Sequence, residues 1–344
     1  MLNFLRKLRR NQMNSQYLKY AAGEIVLVVI GILIALSINN WNERRKQKEK
    51  TKAILTQIVD ELLLDIEVLQ SVNKGYLMKD SLINVYKASD FSKPLLSNLD
   101  SSEFHDLIRT YMPFQVHDRG FQLLMNYANE IDIKFADNLE QLIIIYQDAI
   151  PEVLFYMDNM TDLLLQHKQH LIENYDWYNR SYLYKQHSKD EYNYYMFDPN
   201  YKNYIALYRE WYINIIINAR WTIDQSIKAV IDLETKLEFE LPGDIIQKAS
   251  QELINSMVGT YRFKEKQSKL ILENRNGQLY ESTFEGGAFF GKAFDTQFIT
   301  GELRYLGDSL FYHDVRSNIR LNSDGSITLE DIMGESITSI EKIN

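Results

Sequence analysis

The chain has 344 residues, a formal net charge of −9 and no cysteine, which excludes disulfides and thiolate metal sites built from its own side chains. Residues 1–52 hold eleven Lys and Arg against three acids, a charge of +8, so the remaining residues carry −17. Because phosphate binding relies on clustered cations, this acidic body argues against nucleic acid as a partner.

The first predicted elements are a basic N-terminal tail, residues 1–20, and a transmembrane helix, residues 21–41. At about 1.5 Å rise per residue, a helix of this length crosses the hydrocarbon layer of a bilayer, which is roughly 30 Å thick. No small-x-small cleavage site follows the apolar run, so the pattern predicts an uncleaved signal anchor rather than a signal peptide. The lipid bilayer is therefore the first predicted partner.

The orientation of this span is predicted from its layout, because cations flank it on both sides and the positive-inside rule does not decide. A basic tail followed by an apolar run is typical of a signal anchor that exports the C-terminal part. We expect a single-pass protein of the bacterial inner membrane, in the cell envelope, with its C-terminal domains in the periplasm.

One face of the span carries small and polar residues: Glu24, Gly31, Ala35 and Asn42 fall in a narrow stripe, with Asn39 nearby. Small residues four apart let two helices approach closely, and polar groups hydrogen-bond across such a contact. One interpretation is a helix-association face, which predicts a homo-oligomer or a membrane-protein partner. The alternatives are polar residues that merely occupy the interfacial zones, which we favour, and a proton-conducting carboxylate at Glu24.

A helical bundle domain is predicted for residues 42–245. Apolar residues at alternating steps of four and three from Leu55 to Leu69 predict that the membrane helix continues outward and packs against its own domain. A loop is expected at 89–102, where Ser101 or Ser102 caps the next helix, and a short helix at 121–129. Long helices are predicted at 137–175, with a kink or split at Pro151, and at 201–239, before a stop at 241–243. These elements predict an up-and-down bundle.

A Tyr-rich connector, residues 175–212, holds eleven of the 23 tyrosines. Its aromatic side chains either cover the bundle, the interpretation we favour, or form a surface for a ligand or partner. The residues assigned to such a surface are Trp177, Tyr178, Tyr194 and Tyr195.

A small β domain is predicted for residues 253–344, where the apolar pattern alternates. Asn276-Gly277 and Asp324-Gly325 are hairpin signals between short β-like runs. Six to eight such runs suggest a small antiparallel barrel or sandwich. The predicted fold class is therefore mainly α with a β domain.

Motifs for catalysis and metal binding are incomplete, so no catalytic residue and no cofactor are predicted. Gly307-Asp308-Ser309-Leu310 spells an esterase nucleophile string, but only 34 residues follow and the context is a β-turn. His167, His170 and Glu173 stand at steps of three and are weak metal candidates that lack a ligand from a second element. We expect them to be surface polar residues, and His105 and His117 have no predicted position.

The span also carries a family-like string. Tyr20-Ala21-Ala22-Gly23-Glu24, the strings GEI, GILIAL and NNWNE, and the helix, turn, helix segment from Phe121 to Tyr146 occur in order. Over residues 1–240 this order resembles an uncharacterised family of single-span membrane proteins common in Bacteroidetes, whose members carry no activity to transfer. The C-terminal strings LINSMVGTY and NGQLY are similar to small lipocalin-like β domains, which implies a barrel and ligand or partner contact without a catalytic residue.

Three functions remain. The leading hypothesis is a non-enzymatic, membrane-anchored envelope protein that acts as a scaffold, sensor or partner-binding protein. The alternative is a ligand-binding protein that uses the Tyr-rich segment or the β domain. A hydrolase assembled across the helical domain is the least favoured.

Overall fold

The computed structural model describes residues 2–88, 107–109, 111–128, 131, 133–238, 249–263, 269–289, 292–307, 309–314 and 317–343. The predicted loop at 89–102 with its serine caps, the stop at 241–243, and His105 lie outside the described residues.

The longest element is a single helix, α1, which runs from Leu2 to Ala88 without interruption. Side chains 20–41 are exposed, whereas the apolar stripe from Leu55 to Leu69 is buried in the core of the bundle. The prediction that the apolar helix continues into the protein's own domain is therefore confirmed. Of the helices in the described ranges, α1 is the one long and apolar enough to cross a membrane.

The bundle has two ends, named here by residues of α1. At the Thr51 end α1 enters the core, and at the Ala88 end α1 finishes. Residues 111–118 descend along α1 from the Ala88 side, because Met112 N–H binds Tyr76 and His117 N–H binds Asp65. Helix α2, Arg119–Asn126, continues toward the Thr51 end, where Lys50 lies over the Tyr127 ring.

The second long helical element returns toward the Ala88 end and is divided into pieces. A 3-10 turn, Ile133–Phe135, precedes α3, Ala136–Ile143, a π-helical turn, Ile144–Ala149, and α4, Ile150–Asn174. Pro151 lies at the start of α4. Proline lacks an N–H, and the backbone hydrogen bonds of the helix change from π to α geometry just before Pro151. The predicted break at Pro151 is therefore a π turn.

The Tyr-rich connector, residues 175–212, is helical over most of its length. It comprises α5, Trp177–Tyr184, α6, Lys189–Phe197, and the first third of α7, Pro199–Leu237. Ser188 and Asp198 cap α6 and α7 by accepting the N–H groups of Glu191 and Asn200. Helix α7 then descends antiparallel to α1 back to the Thr51 end, which completes an up-and-down bundle.

The predicted β domain, residues 253–344, opens with a short helix before its first strand. This helix, α8, spans Gln251–Met257. In the described ranges, the strands that follow are β1 Gly259–Phe263, β2 Lys269–Arg275, β3 Gln278–Phe289, β4 Lys292–Gly307, β5 Leu310–Asp314, β6 Ser317–Leu321, β7 Ile327–Asp331 and β8 Ser336–Lys342.

These strands pair antiparallel in sequence order, and β1 pairs with β8, so the sheet closes into a barrel rather than a sandwich. Asn276 and Gly277 both have positive φ, as a type I′ hairpin requires. The second hairpin signal lies in a longer loop, 322–326, where Gly325 has positive φ. Ile254 and Met257 of α8 pack into the barrel core with Tyr261 and Phe311.

The barrel rests against the bundle through polar contacts with α7. The Arg220 guanidinium donates to the Ser317 carbonyl at 3.2 Å and to Asn318 Oδ1 at 2.7 Å. Arg304 of β4 lies 3.3 Å from Asp224, four residues further along α7. Arg220 and Asp224, one turn apart on α7, therefore contact strands β6 and β4 respectively.

Candidate functional site

The face assigned to helix association lies on the exposed part of α1. Glu24, Gly31, Ala35 and Asn39 are exposed, and Asn42 is half-buried. A Cβ added at Gly31 would meet no atom within 4 Å, and Asn39 donates a hydrogen bond to Glu43 at 2.9 Å. This face is thus open along Gly31 and Ala35, and its role in association stays a prediction.

The aromatic residues of segment 177–195 are mostly core, which agrees with the favoured interpretation that they cover the bundle and speaks against the alternative of a binding surface. Trp177, Tyr194 and Tyr195 are 5 %, 2 % and 0 % exposed. Their rings pack on one another, with centroids 5.8 Å apart for Trp177 and Tyr194 and 5.2 Å for the two tyrosines. Burial raises the pKa of both phenols well above the usual range, so these groups seal the Ala88 end instead of presenting a surface.

Tyr178 is the member of that set that faces a cavity. It lines a groove of about 570 Å³ between α1, α4 and α5, with Tyr182 beside it and the two rings stacked 6.0 Å apart. The described residues that line it are Lys79, Ile108, Arg109, Tyr111, Thr161, Leu164, Leu165, His167, Lys168, Leu171, Tyr178 and Tyr182. These described residues include three cations and no acid, so the groove suits an anionic group attached to an apolar or aromatic body.

His167 is buried at the back of this groove and is neutral at pH 7. Its Nε2 lies 3.0 Å from the Tyr194 hydroxyl, and burial, followed by the positive fields of His170 and Arg109, lowers its pKa to about 4. In a neutral imidazole, Nε2 either donates or accepts depending on the tautomer, so it can form a hydrogen bond with the hydroxyl in either role. His167 is therefore a core histidine with a hydrogen-bond partner.

The proposed metal ligands do not converge. His167 faces Tyr194, the His170 ring lies 3.2 Å from the Asn174 amide, and exposed Glu173 accepts from Gln169. Within the described residues, no group of three His, Asp or Glu side chains could hold an ion. The prediction that all three are surface residues is also wrong for His167, which is 3 % exposed.

A Ser-His-Glu cluster between α5 and α6 bears on the hydrolase hypothesis. Ser181 donates to Glu191 at 2.6 Å, and His187 Nδ1 lies 3.1 Å from Glu191 and 3.3 Å from Ser181. A catalytic triad needs the acid on one imidazole nitrogen and the nucleophile on the other, whereas here both face Nδ1. The cluster ties two short helices together and does not activate Ser181.

The esterase-like string also falls where the sequence placed it. Gly307 ends β4, Leu310 begins β5, and Ser309 lies between them in the turn with positive φ, while Asp308 is outside the described residues. The Ser309 carbonyl accepts the N–H of Leu321, which fixes this turn to the end of β6.

A second hollow was missed by sequence reasoning. At the Thr51 end, lysines from α1, the 3-10 turn and α7 surround a hollow of about 210 Å³. The sequence marks Lys48 and Lys52 as part of the basic flank, but Lys134 and Lys236 are isolated cations in acidic surroundings. Only the antiparallel course of α7 brings them to the same place.

Comparison with known proteins gives one match, to part of the N-terminal region. A family of unknown function (DUF6090) matches residues 24–108, which places the similarity over the exposed apolar segment and the core-forming part of α1. No curated protein and no solved structure matches the chain.

Proposed function

We propose that the chain is a single-pass, membrane-anchored and non-enzymatic protein of the bacterial envelope, which acts as a scaffold, sensor or partner-binding protein. The carrying observation is the continuity of α1: its exposed apolar segment, residues 21–41, leads into the core stripe that starts at Ile54. An exposed apolar surface of this length is unfavourable in water, and a bilayer of matching thickness removes it.

The unbroken helix also supports a sensor or scaffold role. Thr51, the first buried residue after the exposed segment of α1, lies ten residues beyond Trp41, or about 15 Å along the helix. A tilt or rotation of the span is then transmitted to the bundle without an intervening loop. Basic residues 44–52 between the two parts suit the charged surface of a membrane.

Association through Gly31 and Ala35 extends this proposal. The test is crosslinking of the full chain in bilayer nanodiscs and in detergent, with Gly31→Leu compared with Ser37→Leu, which places the same side chain on another face. We expect a dimer or larger species that Gly31→Leu reduces and Ser37→Leu preserves. A strictly monomeric chain with no copurifying membrane protein contradicts the association step.

The second candidate function is binding of an anionic amphiphile in the groove beside Tyr178. It is favoured by Lys79, Arg109 and Lys168 lining one apolar and aromatic cavity in an acidic body. The cations supply attraction for the anion, and the leucines and tyrosines supply apolar contact.

Octanoate and octanol are suitable probes for this groove because they differ only in the charged group. Saturation-transfer NMR on the full chain in nanodiscs should detect octanoate binding, with a several-fold loss in Lys168→Gln and none in Lys202→Gln, which removes an exposed lysine of α7. Equal binding of octanol and octanoate, or equal loss in both variants, contradicts an anion site.

A further inference from the structure

Four lysines from three distant parts of the sequence meet at the Thr51 end of the bundle. Lys48 and Lys52 belong to α1, Lys134 to the 3-10 turn, and Lys236 to the last turn of α7. They line the same hollow of about 210 Å³. Like charges that line one hollow repel one another, and an anion bound between them would remove that repulsion.

The hollow is built on fixed groups rather than on mobile side chains alone. The Lys236 ammonium donates to Asn138 Oδ1 at 2.7 Å and to Asp232 at 2.8 Å, and Asn138 donates to Asp232 at 2.6 Å. Lys134 lies 4.4 Å from the centre of the Phe135 ring, and that ring is buried. Two of the four cations are thus held in position by neighbouring groups.

The charge balance of the hollow is positive. Among the described residues that line the hollow there are four lysines and one acid, Glu238, and Asp232 beside it pairs with Lys236. Residues 53–344 together carry −17, which makes this hollow a local reversal of sign in an acidic body. An anion with several acceptor oxygens fits this arrangement, since each ammonium offers up to three donors.

The position along α1 indicates where such an anion comes from. Lys48 is seven residues beyond Trp41, or about 10 Å along the helix, and lysine side chains extend toward a membrane surface from this distance. The hollow therefore opens beside the headgroup layer if residues 21–41 span a bilayer. This step rests on the proposed function.

We propose that this lysine hollow binds a phosphate group, supplied by the headgroup of an anionic phospholipid or by free phosphate. The two sources share the same chemistry at the lysines. The lipid differs because its glycerol and acyl parts add contacts on the membrane side.

Native mass spectrometry of the full chain in nonionic detergent tests the proposal with dihexanoyl phosphatidylglycerol, dihexanoyl phosphatidylcholine and inorganic phosphate as separate probes. We expect saturable binding of the phosphatidylglycerol, weaker binding of the zwitterionic lipid, and a loss of about fivefold for each lysine removed. The double variant Lys52→Gln/Lys134→Gln should lose about 25-fold by the same reasoning. Glu238→Gln should bind more tightly, because it removes a repelling carboxylate.

The matched control is Lys189→Gln/Lys202→Gln, which removes two exposed lysines from the Ala88 end. Tighter binding of phosphatidylglycerol than of phosphate assigns the site to a lipid headgroup, and equal binding assigns it to free phosphate. Equal binding of the two lipids, or equal losses in test and control variants, overturns the proposal. Should the double variant unfold, an unchanged affinity in Glu238→Gln overturns it instead.

The anchoring proposal is tested separately on the same preparations by washing membranes with alkaline carbonate. Release of the chain contradicts anchoring while binding in detergent still supports the lysine hollow. Retention without binding overturns the hollow and leaves anchoring in place.

Discussion

Asp65 and His117 are 52 residues apart in sequence, and the Nδ1 atom of His117 lies 2.6 Å from Oδ1 of Asp65. Both oxygens of Asp65 also accept the backbone N–H of His117 at 3.2 Å, and the Tyr146 hydroxyl donates to the His117 carbonyl at 3.2 Å. The carboxylate belongs to the core face of α1, so this contact fixes the extended segment 111–118 against the long helix.

The buried carboxylate makes stability depend on pH. Burial raises the pKa of Asp65 from 3.8 to about 6, with hydrogen bonds from His117 acting in the opposite direction. Between these values the folded chain holds a proton that the unfolded chain has released. The contribution of Asp65 to the free energy of unfolding is therefore fully present below pH 4 and falls by about 3 kcal/mol as pH rises through 6.

Urea unfolding of the full chain in detergent, from pH 4 to pH 7, checks this prediction against Asp65→Asn. As pH rises, the free energy of unfolding of Asp65→Asn should increase relative to that of the native chain by about 3 kcal/mol, because the asparagine side chain does not ionise. Asp60→Asn, which removes an exposed carboxylate from the same helix, is the control. If the native chain instead becomes more stable relative to Asp65→Asn as pH rises, the raised pKa of Asp65 is contradicted.

The sequence predicts α1 well because the Leu55 to Leu69 stripe has one period and no interruption. The Asn276-Gly277 turn is predicted equally well, because positive φ at two consecutive residues strongly selects this pair. Both features are local. Each depends on residues that lie within a few turns of one another.

Other features depend on contacts that sequence spacing does not contain. The π turn before Pro151 changes the hydrogen-bond ladder without changing the apolar pattern, and α8 is too short, at seven residues, for its apolar spacing to mark it as a helix. Abundant tyrosine is compatible with a cover for the bundle or with a binding surface, and only the packing of Trp177 and Tyr194 in the fold decides for the cover. The lysine hollow needs Lys134 and Lys236, which only the tertiary fold brings together.

Close packing between α1 and α2 predicts that Gly120→Ala is destabilising. A Cβ at Gly120 would lie 2.8 Å from the Ile58 side chain and 3.2 Å from its backbone nitrogen. We expect a loss of about 1–3 kcal/mol in unfolding free energy, since helix backbones must separate to admit it. Gly31→Ala, where nothing lies within 4 Å, is the control, and equal stability of the two variants contradicts this close contact.

A buried carboxylate joins α1 and α7 near the Ala88 end. Asp80 accepts from Arg209 at 2.8 Å and from Asn84 at 3.0 Å, and it also accepts the Tyr212 hydroxyl. Removing the hydroxyl by Tyr212→Phe should cost about 1.5–3 kcal/mol in unfolding free energy, because one bond to a charged group is lost. Asp80→Ala should cost more, about 3–5 kcal/mol, since it leaves Arg209 without this ion pair.

Thermal or urea unfolding of these two variants is compared with that of Tyr182→Phe, which removes an exposed hydroxyl from α5. The order of stability expected is the control first, then Tyr212→Phe, then Asp80→Ala. A Tyr212→Phe variant as stable as the control would contradict the role given to this hydrogen bond.

The contact between α7 and the barrel predicts a local effect of Arg220→Ala. The substitution removes the hydrogen bonds to the Ser317 carbonyl and to Asn318. Hydrogen exchange of β6 should become about tenfold faster while β1 and β2, on the other side of the barrel, keep their protection. Uniform acceleration over all strands would indicate global destabilisation instead, and Lys202→Ala provides the baseline.

We propose that α1 crosses a membrane and carries the bundle and barrel on the side opposite its N-terminus. The native chain has no cysteine, so single cysteines at Ser15 and at Ser323, an exposed residue of the loop after β6, report each side without background. A membrane-impermeant maleimide should label Ser323→Cys in intact spheroplasts, and Ser15→Cys only after permeabilisation. Labelling of both cysteines before permeabilisation, or of Ser15→Cys alone, would contradict the account.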